Sequence, residues 1–147
     1  MDKESELSIF KVAIVIHAFY AEQFQVIVDR INAIYDRDVA DIQIDVYITL
    51  SNGYDPEIHT ILASNLSCAK VYHHPNYGMD LLPFFRLVPS IQTYDWVLKL
   101  HTKNRNDNLS QVWFERLCEG LIGTPEVFFQ TLECIRANPS WTMAGVM

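Results

Sequence analysis

The run Lys11-Val12-Ala13-Ile14-Val15-Ile16-His17 decides the fold class. It is apolar and mostly β-branched at consecutive positions, the pattern of a strand covered on both faces, as in a parallel sheet. The periodicity then changes. Phe24, Ile27, Val28, Ile31, Ile34 and Tyr35 recur three and four residues apart with acids and amides between them. That spacing predicts an amphipathic helix of about four turns, fading in Asp36-Arg37-Asp38. Ile42, Ile44, Val46, Ile48 and Leu50 alternate as a second strand, closed by the turn Ser51-Asn52-Gly53. Asp55-Pro56-Glu57 has the chemistry of a helix start: an acid to cap, a proline at the first helical position, and a glutamate favoured by the N-terminal dipole. This helix carries Ile58, Ile61 and Leu62 and should end near Asn65. A short third strand, Ala69 to His73, runs into His74-Pro75-Asn76.

Asp80 opens Leu81-Leu82-Pro83-Phe84-Phe85-Arg86-Leu87-Val88, and Pro83 is tolerable only in a first turn, so a helix should begin close to Asp80. Tyr94 to Leu100 reads as a fourth strand and Asn104 to Asn108 as a polar loop. Trp113, Phe114, Leu117, Cys118 and Leu121 form the stripe of another helix. Gly123-Thr124-Pro125-Glu126 ends it and caps the next, which carries Phe128, Phe129, Leu132 and Ile135. Trp141 to Met147 is an apolar, strand-like run. Either it closes the sheet or the chain is a fragment of a longer protein. Strands alternating with helices predict an α/β fold: a three-layer, mostly parallel sheet with helices on both faces, of the Rossmann-like nucleotide-binding kind. Residues 1–10 read as a polar N-terminal extension and 11–147 as a single domain, either whole or cut short at its C-terminus.

Bulk properties exclude several classes. A chain of 147 residues is one domain by length. A net charge of −7 argues against nucleic acid and anionic lipid as partners. Cys68, Cys118 and Cys134 form neither a disulfide framework nor a zinc motif and are expected as buried, reduced thiols. The acidic start is no signal peptide and no run is long enough to span a membrane, so a cytoplasmic location is expected.

In open α/β sheets ligands bind beyond the C-terminal strand ends, near a switch in strand order. His17, Thr49, His73, His74, His101 and Lys103 fall at or just past such ends. Lys99, Lys103 and Arg105 are three of the eleven basic residues, within seven positions. Alternation places Lys99, His101 and Lys103 on one face, of which only the last two need reach the crevice. Asn76-Tyr77-Gly78-Met79-Asp80 has two readings. One is a turn followed by a helix cap. The other is a loop in which Gly78 admits a ligand to the backbone and Asp80 accepts from ribose or sugar hydroxyls. His101 with Lys103 reads either as a strand running out to solvent or as a cationic pair for a diphosphate. His73-His74 lacks companions at metal-ligand spacing, and no divalent metal site is supported.

Together these residues resemble the rhamnan synthesis protein F family, associated with bacterial cell-surface polysaccharides. The resemblance rests on Val15-Ile16-His17 with Tyr20, Asp45-Val46-Tyr47-Ile48-Thr49, Pro75 to Asp80 with Leu82-Pro83-Phe84, and Tyr94 to Lys103. Trp113 and Leu121-Ile122-Gly123 continue it. The family is similar in layout to GT-A glycosyltransferases. That similarity implies a nucleotide base near His17 and Thr49, ribose and sugar near Asn76, Gly78 and Asp80, and His101-Thr102-Lys103 where many such enzymes hold a metal through two acids. Here the diphosphate would fall to Lys103, His101 and Arg105.

The resemblance implies a nucleotide sugar (dTDP-rhamnose) as donor and a saccharide or lipid-linked glycan as acceptor. It implies a cytoplasmic chain reaching the inner membrane only through partners. On this reading Asp80, His101 and Lys103 carry catalysis. The alternative is a non-catalytic sugar or nucleotide reader, or a scaffold, in polysaccharide assembly. A receiver-type signalling domain shares the alternation but needs an acidic cluster at the first strand end, where this chain has His17.

Overall fold

The computed structural model describes residues 8–66, 68–103 and 108–145. The elements follow in chain order: β1 (Phe10–Ala18), α1 (Ala21–Tyr35), β2 (Ile42–Ser51), α2 (Glu57–Asn65), β3 (Lys70–His74), α3 (Leu81–Ile91), β4 (Trp96–His101), α4 (Asn108–Ile122) and α5 (Pro125–Ala137). All pairings are parallel and the strand order is β3-β2-β1-β4. The three-layer α/β expectation holds.

The uninterrupted apolar run is now explained. Val12, Ile14, Ile16 and Ala18 of β1 enter the larger core with Phe24, Ile27 and Ile31 of α1, Phe114 and Ile122 of α4, and Phe128 and Leu132 of α5. The intervening Ala13 and Val15 enter a smaller core with Tyr47, Leu87 and Ile91. Because β1 is central and covered on both sides, every position except the first two is buried. Asp95 holds the start of β1 against β4: its Oδ2 accepts from Lys11 N at 2.7 Å and its own N–H donates to Lys11 O at 2.9 Å.

Topology dictates which helix goes where. The chain steps outward from β1 to β2 to β3 through α1 and α2, then returns across the sheet to place β4 on the far side of β1. Parallel crossovers are right-handed, so reversing the direction of travel moves the connecting helix to the opposite face. Hence α3 lies alone on one face, packed on β1 and β2, while α1, α2, α4 and α5 share the other. The reversal falls between β1 and β4.

Local signals behave largely as read. Asp55 Oδ1 accepts from Glu57 N at 3.0 Å at the start of α2. Thr124 Oγ1 accepts from Val127 N at 3.2 Å, with Pro125 opening α5. Four readings need correction. β1 begins at Phe10, inside the segment taken as an extension, and pairs there with Ile42. Trp141 to Gly145 form no strand: Trp141 N bonds back to Asn138 O at 2.9 Å, and Ala144 and Gly145 line an apolar cavity of about 140 Å³ beside β4 without joining its ladder. Trp113 is 56% exposed, because α4 buries Phe114, Cys118 and Ile122 at a strict spacing of four, which turns Trp113 outward. Cys118 is buried but Cys68 and Cys134 are exposed, at a loop and on the outer side of α5.

Candidate functional site: a polar crevice where the strand order reverses

On the α3 face, the C-terminal ends of the strands carry a polar row above the smaller apolar core. In register across the sheet stand Thr49 of β2, His17 of β1 and His101 of β4. His17 Nδ1 and Thr49 Oγ1 are 2.9 Å apart, and His17 is only 8% exposed. Lys99 lies two residues before His101, on the same face of β4.

The opposite wall is the loop between β3 and α3. Gly78 (φ 73°) and Met79 (φ 52°) are both left-handed, and this turns the chain so that Leu81 N and Leu82 N donate to Gly78 O at 3.1 and 3.2 Å. A Cβ on Gly78 would stand 2.5 Å from Leu82 Cβ. The glycine therefore serves close packing of the loop on the first turn of α3. Asp80 occupies the N-cap position of α3 but its side chain makes no cap bond. Instead its carboxylate forms an ion pair with Lys99, and Oδ2 lies 3.5 Å from His101 Nδ1. An ammonium is a stronger partner for a carboxylate than a neutral backbone N–H. That is why the cap expected here is not made.

The charges in the crevice follow from these contacts. Burial would raise the Asp80 pKa, but the hydrogen bond and charge of Lys99 outweigh it and hold the carboxyl below the ordinary range. Burial pushes His17 down to about 4, against the opposing pull of Asp80. His101 is lowered as well, first by burial, with Asp80 opposing and Lys99 and Lys103 adding to the effect. At neutral pH the crevice therefore holds one carboxylate, one ammonium and two neutral imidazoles.

The remaining predicted residues lie elsewhere. Lys103 follows the end of β4, outside its alternation. Its N–H donates to Gln23 Oε1 and its ammonium sits 5.4 Å from the centroid of Trp113, on the α1/α4 side of the strand ends. Thus Lys99, which was not expected to reach the crevice, meets Asp80, and Lys103 lies at the rim. Asn76 is exposed on the loop. Arg105 lies outside the described residues. Thr102, passed over between His101 and Lys103, is 7% exposed and joins the ends of β1 and β4. Its Oγ1 accepts from Phe19 N at 3.0 Å and Tyr20 N at 3.3 Å, and its N–H donates to His17 O at 3.1 Å. A threonine directly after a strand, opposite another strand end, was the available signal. Among the described residues no group of three or more His, Cys, Asp or Glu side chains is placed to hold a metal ion.

A parallel sheet flanked by helices, with a polar crevice at the reversal of strand order, defines a Rossmann-like α/β domain. The family model described as rhamnan synthesis protein F matches residues 1–138. The chain belongs to that family, which gives it a role in rhamnan polysaccharide synthesis. No curated protein and no solved structure matches it. Among the described residues no helix is long and apolar enough to cross a membrane.

Proposed function

We propose that the crevice binds a nucleotide sugar, with dTDP-rhamnose the donor suggested by the family's role, for glycosyl transfer to a saccharide or lipid-linked glycan in the cytoplasm. The observation that supports this reading is the convergence of Lys99, His101 and Asp80 at the strand-order reversal. Donor binding would divide the Lys99–Asp80 pair between two partners. Lys99 would turn to diphosphate oxygens and Asp80 would accept from sugar hydroxyls, with Lys103 drawing the anion in from the rim and Arg105 adding to the positive charge of this stretch of sequence. Transfer breaks the bond between the anomeric carbon and the phosphate oxygen and forms one to the acceptor oxygen, whose proton is lost. Negative charge gathers on the departing diphosphate, and a cation fixed beside it lowers the barrier.

Calorimetric titration with dTDP and dTDP-rhamnose, with and without Mg²⁺, tests the proposal. Lys99→Met should weaken both ligands by about tenfold or more, the ~1.5–3 kcal/mol of a charge-assisted contact. Asp80→Asn should weaken dTDP-rhamnose more than dTDP, because only the former brings the rhamnosyl hydroxyls. No binding under any condition would refute the reading, and binding that requires Mg²⁺ would refute the metal-free role of Lys99. Binding without transfer to any glycan acceptor would favour a reader over an enzyme.

A further inference from the structure

Of the fourteen large apolar side chains exposed among the described residues, eight lie between Tyr77 and Trp113, so they are gathered rather than scattered. They form two groups. In the first, Met79 is 79% exposed on the loop entering α3, and Leu81, Phe85 and Val88 continue as one stripe down the outer side of that helix. In the second, Leu109, Val112 and Trp113 share one side of the first turns of α4, with Leu109 69% exposed. A helix that follows a parallel strand starts at the C-terminal end of that strand, so both groups stand at the same edge of the sheet. Asp80 at the start of α3 pairs with Lys99, and Trp113 packs on Lys103, which places the crevice between the two groups.

Each group also sets a cation against an aromatic ring. The Arg86 guanidinium lies 5.9 Å from the centroid of Tyr77 and its Nη2 donates to Tyr77 Oη at 3.0 Å, as Lys103 lies over Trp113 on the other side. The charge is locally reversed. In a chain of net charge −7, the described residues between Leu81 and Phe114 carry Arg86, Lys99 and Lys103 against one acid, Asp95, which is tied to Lys11 at the opposite end of β4. The acids Glu22, Asp55 and Glu57 open α1 and α2, the helices that lead to β2 and β3, away from β4.

We infer that this rim is a membrane-contacting surface: Leu81, Phe85 and Trp113 enter the boundary between headgroups and acyl chains of a phospholipid bilayer, Arg86 and Lys103 stay at the phosphates, and the crevice opens toward the lipid. Apolar side chains flanked by aromatic rings with cations at their polar tips match the layered chemistry of that boundary. A second copy of this chain fits less well, because an isologous contact across the rim would bring the same cations together. The inference needs no intermediary protein at the membrane, and it stands or falls independently of whether the crevice holds a nucleotide sugar.

The test is flotation of the full chain with vesicles of phosphatidylcholine, and of phosphatidylcholine mixed with phosphatidylglycerol. The chain should float with the vesicles, and Leu81→Ser, Phe85→Ser and Trp113→Ala should each lower the partition about threefold to tenfold. Val26→Ser, which removes an exposed apolar side chain on α1 outside the rim, should leave it unchanged. Tryptophan emission should shift to the blue on vesicle addition and be quenched by brominated acyl chains, and Trp113→Phe should remove most of both signals. Circular dichroism establishes that each variant is folded. Partition into neither vesicle would overturn the inference, as would partition abolished by salt but insensitive to the rim substitutions. Self-association in sedimentation velocity that the same substitutions abolish, without flotation, would overturn it in favour of a second copy on this surface.

Discussion

Lowering the pH should destabilise the fold through His17 in a defined window. The imidazole ionises at an ordinary 6.5 when exposed and at about 4 in the folded chain, chiefly because burial disfavours its charge. Between these values the unfolded chain binds a proton that the folded chain does not, so stability rises with pH across the window. Above pH 6.5 His17 contributes no pH dependence, and as pH falls from 6.5 toward 4 stability is lost progressively. The full gap corresponds to at most ~3 kcal/mol, and screening at the crevice mouth reduces it to roughly 2 kcal/mol. His74 and His101 are lowered too and act in the same direction, so the His17 share must be taken as a difference. Urea unfolding of the wild type and His17→Gln at pH 7.5, 6.5, 5.5 and 4.5 isolates it. Glutamine can still bond Thr49 Oγ1 but does not titrate. The wild type should lose roughly 2 kcal/mol more than the variant between pH 7.5 and 4.5. Parallel curves for the two proteins, or a differential loss completed above pH 6.5, would refute the reasoning.

Two further substitutions probe the walls of the crevice. Thr102→Val keeps the shape but removes the acceptor shared by Phe19 N and Tyr20 N; it should cost about 1–3 kcal/mol in urea unfolding, with Thr102→Ser recovering most of the loss. Gly78→Ala places a Cβ 2.5 Å from Leu82 Cβ on a left-handed residue. It should destabilise by roughly 2 kcal/mol, with amide chemical-shift changes concentrated between Asn76 and Phe84, and an unchanged unfolding midpoint would contradict the packing role given to the glycine.

The elements were legible because each carries its own period. β1 is apolar throughout since both its faces are covered, and α1 shows one apolar stripe because only one of its faces is. Partners were harder to read. Trp113 and Phe114 are adjacent, so two stripes about 100° apart fit the α4 sequence equally well, and packing in the larger core selects Phe114. The run after Trp141 has strand composition, but composition does not supply a neighbouring ladder. Lys99 was placed on the correct face by alternation, yet how near it comes to Asp80 depends on where α3 begins relative to β4, a tertiary quantity with no local signature. The cap reading of Asp80 failed for the same reason: the competing partner is Lys99, on another element.

The crevice owes its location to topology more than to any motif. Once β4 is placed on the far side of β1, handedness sends α3 alone to the opposite face, where its eleven residues cover Ala13, Val15 and Tyr47 but leave the strand ends above them open. Polar side chains are admissible there, and Thr49, His17 and His101 occupy that row in register. The loop entering α3 must pass over the same row, which brings Asp80 to Lys99. Apolar residues at His17 or Lys99 would keep the sheet and lose the crevice, since neither side chain belongs to the apolar cores. The buried His17, the half-buried His101 and the ion pair are thus carried by the packing of β1 below them, and their convergence at the strand-order reversal is the strongest physical argument that this edge of the sheet binds a ligand.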